Sequence, residues 1–382
     1  MLIPYSENPS AVQARLRRRL RRHWDQPKLP TSLGCSRCPQ REVCGGLHTE
    51  IRQFDCLAYC CGKPNGCTKV CRRKPAQFTE QVREIGDFDL SVTPRAPALE
   101  PPKLPSFAPV IYHKGNRQAV LDRPAVALPL YALFSKRSGI GKFASRDDLC
   151  AAFAISPQTS IILTGTDQDE ALEKWWSYGE DRRREGIAYL HRLGIGLVTT
   201  PNYSLFANMP RWDDMHSMKR IALVHSEFLQ GGIPSALHIN GRAEQDFVRW
   251  AAFLEARPEV THIAYEFGTG AGLSERISQH LAWLEYVAQA AGRPLTLVVR
   301  GGFEILPSLA AAYEHVVFLD TAVFMKTMKR QLAVRADNAK LDWQSSPTLH
   351  GACLGTLFEQ NNSEREALVR LLLSPPPATI AA

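Results

Sequence analysis

Eight of the ten cysteines, Cys35, Cys38, Cys44, Cys56, Cys60, Cys61, Cys67 and Cys71, fall in one short stretch, while Cys150 and Cys353 stand alone. The spacing reads Cys-x2-Cys-x5-Cys, then Cys-x3-Cys-Cys-x5-Cys-x3-Cys, among Gly, Pro, Lys and Arg with few residues for an apolar core. Metal or disulfides must order such a segment. Residues 1–5 show no apolar run after a basic start, so no secretory signal is expected, the chain is assigned to a reducing cytoplasm, and metal is the expectation. Eight thiolates suffice for two four-thiolate sites, and the adjacent Cys60 and Cys61 diverge in extended backbone toward different sites. Both zinc and an iron–sulfur cluster stay open. Zinc modules repeat Cys-x2-Cys knuckles, of which only Cys35 to Cys38 is present; the irregular spacing and the Cys38-Pro39 pair suit a cluster. His48 is a possible substitute ligand.

The run Cys35-x2-Cys38-x5-Cys44-Gly45-Gly46 resembles the auxiliary-cluster motif of some radical enzymes, although the Cys-x3-Cys-x2-Cys signature of their catalytic cluster is absent. Charge is segregated with the thiols. Residues 1–74 carry 15 Lys and Arg against 5 Asp and Glu, a net of +10, and the whole chain nets +8, so all of the positive excess lies at the front. Arg15, Arg17, Arg18, Arg19, Arg21 and Arg22 fall on most faces of one helical arm, and Lys69, Arg72, Arg73 and Lys74 close the cysteine segment. A basic, metal-pinned module of this kind fits the phosphate backbone of nucleic acid; an acidic protein surface is the other partner the arm would suit.

At 382 residues and 45% hydrophobic composition, with no apolar run near the roughly 20 residues that cross a bilayer, the chain is expected to be soluble, off the membrane, and built of about two domains. The partition expected is a basic arm over 1–30, a cysteine-rich module over 31–90, a Pro-rich linker over 91–107, an α/β domain over 108–370 and a disordered tail over 371–382. Proline at 94, 97, 101, 102 and 105 can continue neither a helix nor a central strand.

Beyond the linker, short apolar runs at 126–134, 161–166, 196–200, 236–240, 262–267, 295–300 and 316–320 alternate with helical patterns at 170–193, 213–230, 243–256 and 274–291. Strands apolar throughout are buried on both faces. Seven of them, with an eighth at 109–113, predict a (β/α)8 TIM-like barrel; an open doubly wound parallel sheet is the alternative. No Gly-x-Gly-x-x-Gly follows the first strand, against a dinucleotide fold.

In such folds chemistry gathers where strands end. The polar residues there are Asp167, Asn202, His238, Asn240, Glu266, Arg300 and Asp320. Asp167, His238, Asn240, Glu266, Arg300 and Asp320 form the candidate catalytic set for general acid–base work, with helix capping and an Arg300–Glu266 ion pair as the structural alternatives. His238 and Asn240, two apart, are expected on one strand face. The Gly139-Ile140-Gly141-Lys142 turn lacks a full phosphate loop, Gly268 to Gly272 is expected to lead into a helix N-terminus near Ser274, Trp175-Trp176 reads as core, and Cys353, after His350, as packing.

The segment Thr200-Pro201-Asn202-Tyr203-Ser204-Leu205-Phe206-Ala207-Asn208-Met209-Pro210, followed by Gly232-Ile233-Pro234-Ser235-Ala236-Leu237-His238-Ile239-Asn240, resembles an uncharacterised domain family of bacteria, phages and mobile elements whose signature runs Ser-Pro-Asp-Phe-Ser-Leu-Tyr…Met-Pro. The likeness covers about a third of the chain, and Thr200 and Asn202 stand where that family has Ser and Asp. It implies a mobile-element or phage-defence context and no reaction. Transglycosylases that exchange tRNA bases are similar in joining a barrel, acidic residues and a zinc site, but their Cys-x-Cys-x2-Cys spacing is missing. Two functions follow as expectations: an enzyme acting on a nucleotide or nucleic-acid base, transglycosylase-like or hydrolytic, or a non-enzymatic recognition subunit whose cysteine-rich module binds nucleic acid or protein.

Overall fold

A computed structural model describes residues 30–37, 84–86, 88–100, 102–205, 211–268, 270–272, 274, 276–336, 340–349 and 351–374. The chain divides into two compact units, one of Met1–Thr93, Tyr203–Leu223 and Asn240–Phe253, the other of Pro94–Asn202, Val224–Ile239 and Leu254–Ala382.

The second unit carries the barrel. Its strands are β1 (Phe107–Pro109), β2 (Ala125–Pro129), β3 (Ser160–Thr164), β4 (Leu197–Thr199), β5 (Ser235–His238), β6 (His262–Glu266), β7 (Thr296–Arg300) and β8 (His315–Asp320). All pair in parallel, in the order β1-β8-β7-β6-β5-β4-β3-β2. The two edge strands meet through a parallel bridge between Val110 and Ala127, where the Ile111 N–H donates to the Ala127 carbonyl at 2.8 Å. The sheet is therefore a nearly closed TIM-like barrel, and the open-sheet alternative is set aside because its two edges are joined at this bridge.

Helices fill the crossovers: α1 (Arg146–Phe153), α2 (Asp169–Ser177), α3 (Gly179–Arg192), α4 (Arg211–Gln230), α5 (Glu244–Glu255), α6 (Ile277–Ala290), α7 (Leu306–Ala312), α8 (Ala322–Met328) and α9 (Gly355–Leu373). Local chemistry sets their ends. Ser145 caps α1 by accepting the Asp148 N–H at 3.1 Å, with Asp147 and Asp148 in the positive first turn. The helix expected over 170–193 is two, which meet where Gly179, at φ +74°, takes a left-handed turn that a continuous α-helix does not hold in its interior. The 126–134 run is a strand only to Pro129, and Leu130–Leu133 coils into a 3-10 turn. The 236–240 run ends as a strand at His238, the 109–113 strand is displaced to Phe107–Pro109, and the helix expected from Ser274 begins at Ile277. Phe107, placed at the end of the linker, is thus a barrel residue, and Leu371, placed in the tail, belongs to α9.

No helix stands between β1 and β2. Arg117, 2% exposed, organises that loop instead: its guanidinium donates to the carbonyls of Lys114, Phe153 and Ala154 and lies 5.0 Å from the ring of Phe358 on α9. α9 packs on β1, α7 and α8. A hairpin of β9 (Gln331–Arg335) and β10 (Leu341–Ser345), not foreseen from the sequence, is fastened to α9 by Asn361. Its fully buried amide accepts from Ala333 N–H at 2.7 Å and donates to Thr327 Oγ1 at 2.9 Å and the Gln331 carbonyl at 2.8 Å.

The barrel interior is a ring of small and branched side chains contributed by alternate positions: Ala108 and Val110, Ala125 and Ala127, Ile162, Leu197, Ala236, Ala264, Val298, Val317 and Leu319. Strand side chains alternate with a period of two. Thr164, Thr199, His238, Glu266 and Arg300, each two beyond an interior residue, therefore also face the axis at the C-terminal mouth. Asp320, one beyond Leu319, faces outward.

In the other unit, Cys35 is buried in the 3-10 turn Leu33–Arg37, and its N–H donates to the Ser32 carbonyl at 2.9 Å. Asp214 pairs with Arg242 at 3.1 Å, and Asp246 accepts the N–H groups of Arg242 and Ala243 at 2.9 and 3.1 Å, holding the turn into α5. The guanidinium of Arg220 lies 4.0 Å from the centre of the Tyr203 ring, and Lys219 Nζ donates to the Asp89 carbonyl. Among the described residues no helix is long and apolar enough to cross a membrane.

Candidate active site at the barrel mouth

His238 closes β5 and is fixed from both sides of its backbone by Thr200. Its main-chain N–H donates to Thr200 Oγ1 at 2.9 Å, and its ring Nδ1 lies 2.6 Å from the Thr200 carbonyl. A carbonyl only accepts, so Nδ1 carries the proton and Nε2 presents its lone pair toward Thr166 Oγ1, 3.5 Å away. Burial pushes the imidazole down to about 4; the bond to Thr200 resists this, and the Arg300 charge adds to it. At neutral pH the ring is an uncharged hydrogen-bond acceptor.

Glu266 and Arg300 are register partners on β6 and β7. Glu266 Oε2 takes the Nε–H of Arg300, and Oε1 takes the Gly268 N–H at 2.6 Å. Burial raises the Glu266 carboxyl, and Arg300 and the Gly268 N–H work against that rise. With both oxygens engaged, Glu266 orients Arg300. Gly301 follows at φ +76°, and a Cβ there would stand 2.7 Å from Gly268 N and 2.8 Å from Phe267 C, so the β6 and β7 loops touch at a point that admits glycine alone.

Tyr112, two beyond the interior Val110, was not singled out by sequence. Burial lifts its phenol, Arg300 lowers it, and Glu266, Asp167 and Asp320 each raise it. Its ring packs 5.6 Å from Phe324. The phenol stays protonated and is a donor at neutral pH. Tyr112 lies within the 109–113 run expected as a strand, but β1 ends at Pro109, so strand alternation does not reach it.

The remaining members of the expected set have other engagements. Asp320 caps α8 by accepting the Val323 N–H at 2.7 Å and pairs with Arg365 Nε of α9 at 2.7 Å, while the Arg365 guanidinium lies 3.7 Å from the Phe303 ring centre. Asp167 is exposed and accepts the adjacent Gln168 N–H at 2.7 Å. Asn240 falls past the end of β5 in the other unit, where its amide donates to the Tyr203 carbonyl at 3.0 Å and its own carbonyl takes the Trp250 indole N–H at 2.9 Å. The structure thus brings His238, Glu266 and Arg300 together, adds Tyr112, and gives Asp320 and Asn240 structural partners.

No protein-family model and no curated protein matches this chain.

Other motifs resolve plainly. The Gly139 to Gly141 turn lies on the rings of Tyr178 and Tyr189, which a Cβ at either glycine would strike within 2.6 Å, and the Gly139 and Lys142 N–H groups already donate to the Ser135 and Leu133 carbonyls; it holds no phosphate cradle. Trp175, 2% exposed, stacks on Phe228 at 6.2 Å, as core. Cys353 corrects the packing expectation: it is exposed, and its sulfur accepts the Gln118 and Gly355 N–H groups at 3.4 Å each, which lowers the thiol. His350 lies outside the described residues, as do Cys38, Cys44, Cys56, Cys60, Cys61, Cys67 and Cys71, the arginines of the arm from Arg15 to Arg22, and Lys69, Arg72, Arg73 and Lys74. Among the described residues no group of three or more His, Cys, Asp or Glu could hold a metal ion.

Proposed function

We propose that this chain is an enzyme whose barrel mouth performs acid–base chemistry on a nucleotide or nucleic-acid base, hydrolytic or transglycosylase-like, in a mobile-element or defence context. The observation that carries the reading is a neutral imidazole, locked in one tautomer by Thr200, on the same inward-facing ring as the tethered Arg300 guanidinium. His238 Nε2 accepts a substrate hydroxyl or amine proton, Arg300 stabilises charge developing on an oxygen, and Tyr112 supplies a hydrogen-bond donor. A pure scaffold has no need of polar residues facing a barrel axis, where their desolvation costs stability.

The front segment is assigned the grip on the polymer. Its net charge of +10 supports a phosphate-backbone contact, and its eight thiols, in a reducing cytoplasm, would hold zinc or an iron–sulfur cluster.

Incubating the full chain with RNA, DNA and free nucleotides, with mass-spectrometric detection of released base or hydrolysed product, tests the reading. Turnover by the wild type that His238→Gln abolishes without unfolding supports it. Salt-sensitive binding with no product, unchanged in His238→Gln, would replace it with a recognition subunit.

A further inference from the structure

Arg300 uses one of its three nitrogens. Nε donates to Glu266, and among the described residues neither terminal nitrogen has a protein acceptor, although the side chain is only 19% exposed. Glu266 takes Nε alone, its second oxygen lying instead on the Gly268 N–H. A guanidinium anchored through Nε alone, with its terminal nitrogens left over, is arranged to hold two oxygens of one ligand group.

The chain beyond Arg300 adds donors. Gly301 and Gly302 both take positive φ, +76° and +67°, before the backbone returns to right-handed geometry at the 3-10 turn Phe303–Ile305. Among the described residues no protein acceptor receives the N–H of either glycine. The left-handed Gly302 followed by the right-handed turn is the alternation that makes successive N–H groups, beginning with that of Gly302, into a concave anion-binding surface.

We infer that Arg300, with the main-chain N–H groups that begin at Gly302, seats a phosphoryl group of the substrate on the β7 side of the barrel mouth. This rests on the enzymatic reading above and names its substrate class. A phosphoryl group offers three oxygens to the guanidinium fork and the main-chain donors, where a carboxylate offers two. Because Glu266 already balances the Arg300 charge, recognition comes from donor geometry.

The test compares 5′-nucleoside monophosphates, the matching nucleosides, inorganic phosphate and succinate by calorimetry and thermal shift on the full chain. Expected is saturable binding of inorganic phosphate, and at least roughly tenfold tighter binding of a monophosphate than of its nucleoside, about the worth of one charge-assisted bidentate contact. Arg300→Gln should erase that margin. Arg300→Lys, which keeps the charge opposite Glu266 and loses the fork, should reduce it and serves if the Gln variant does not fold. Equal binding of nucleotide and nucleoside, no saturable phosphate response, a preference for succinate, or a margin untouched in Arg300→Lys would overturn the inference. His238→Gln should retain the phosphate margin while losing turnover, so the two readings fail separately.

Discussion

His238 Nδ1 lies 2.6 Å from the carbonyl oxygen of Thr200, while Thr200 Oγ1 accepts the main-chain N–H of His238 at 2.9 Å. One residue at the end of β4 thereby sets the position, tautomer and charge of another at the end of β5. Exchange to Gln keeps an acceptor without the fixed ring. We expect His238→Gln to lose turnover by about two orders of magnitude or more, the scale of a positioned acid–base group, with a change in unfolding free energy under about 2 kcal/mol. Loss of the folded circular-dichroism signal in step with activity would make the ring structural.

Acid should unfold the barrel unit well before its carboxylates protonate. His238, His262 and His280 are pushed down to about 4 and His225 to about 3, burial being the largest cause in each. In the unfolded chain each titrates near 6.5. Between these values the unfolded chain binds more protons than the folded one, so stability is full above pH 6.5 and drains as pH falls toward 4, by up to about 1.4 kcal/mol per pH unit per histidine. Glu266, shifted up, opposes this only near its own titration. Urea denaturation at pH 7.5, 6.0 and 5.0 measures it; equal midpoints at all three would dismiss the buried neutral rings.

Glu266→Gln leaves the Arg300 guanidinium in a half-buried site without its counter-charge. We expect roughly 2–3 kcal/mol of destabilisation, less than a fully buried broken pair because Arg300 keeps some solvent contact, and weaker phosphate binding as the fork loses its anchor. An unfolding midpoint equal to wild type would show that Glu266 does not hold Arg300.

Gly301→Ala puts a methyl group 2.7 Å from Gly268 N in a left-handed conformation. A cost of about 2 kcal/mol or more is expected, read as a lowered thermal midpoint. A neutral result would mean the β6 and β7 loops part easily.

Replacing Cys56 or Cys67 should strip bound metal from the front segment. Elemental analysis and the visible spectrum report it: colour marks an iron–sulfur cluster, and colourless protein with stoichiometric zinc marks the other. Metal content equal to wild type would remove those thiols as ligands.

Barrel topology was legible because a strand buried on both faces must be apolar throughout, and seven such runs separated by helical patterns leave few alternatives. Helix breaks and strand ends were less so. The left-handed Gly179 at the junction of α2 and α3 and the end of β5 at His238 are set by backbone course that adjacent residue types do not announce. The Glu266–Arg300 ion pair, which the sequence offers only as the structural alternative to a catalytic role, is present, with Glu266 orienting the guanidinium.

From its residue order alone this chain determined a parallel α/β body, a thiol-rich basic front and the polar residues that end each strand, since these follow from composition and period. Which of those polar residues face one another was decided only by closure of the barrel and the register of its neighbours. Leu319 faces inward, so Asp320 turns outward to Arg365, whereas Ala236, Ala264 and Val298 carry His238, Glu266 and Arg300 to the axis. A period of two assigns sides only relative to a neighbour; the neighbour's position is a property of the closed sheet.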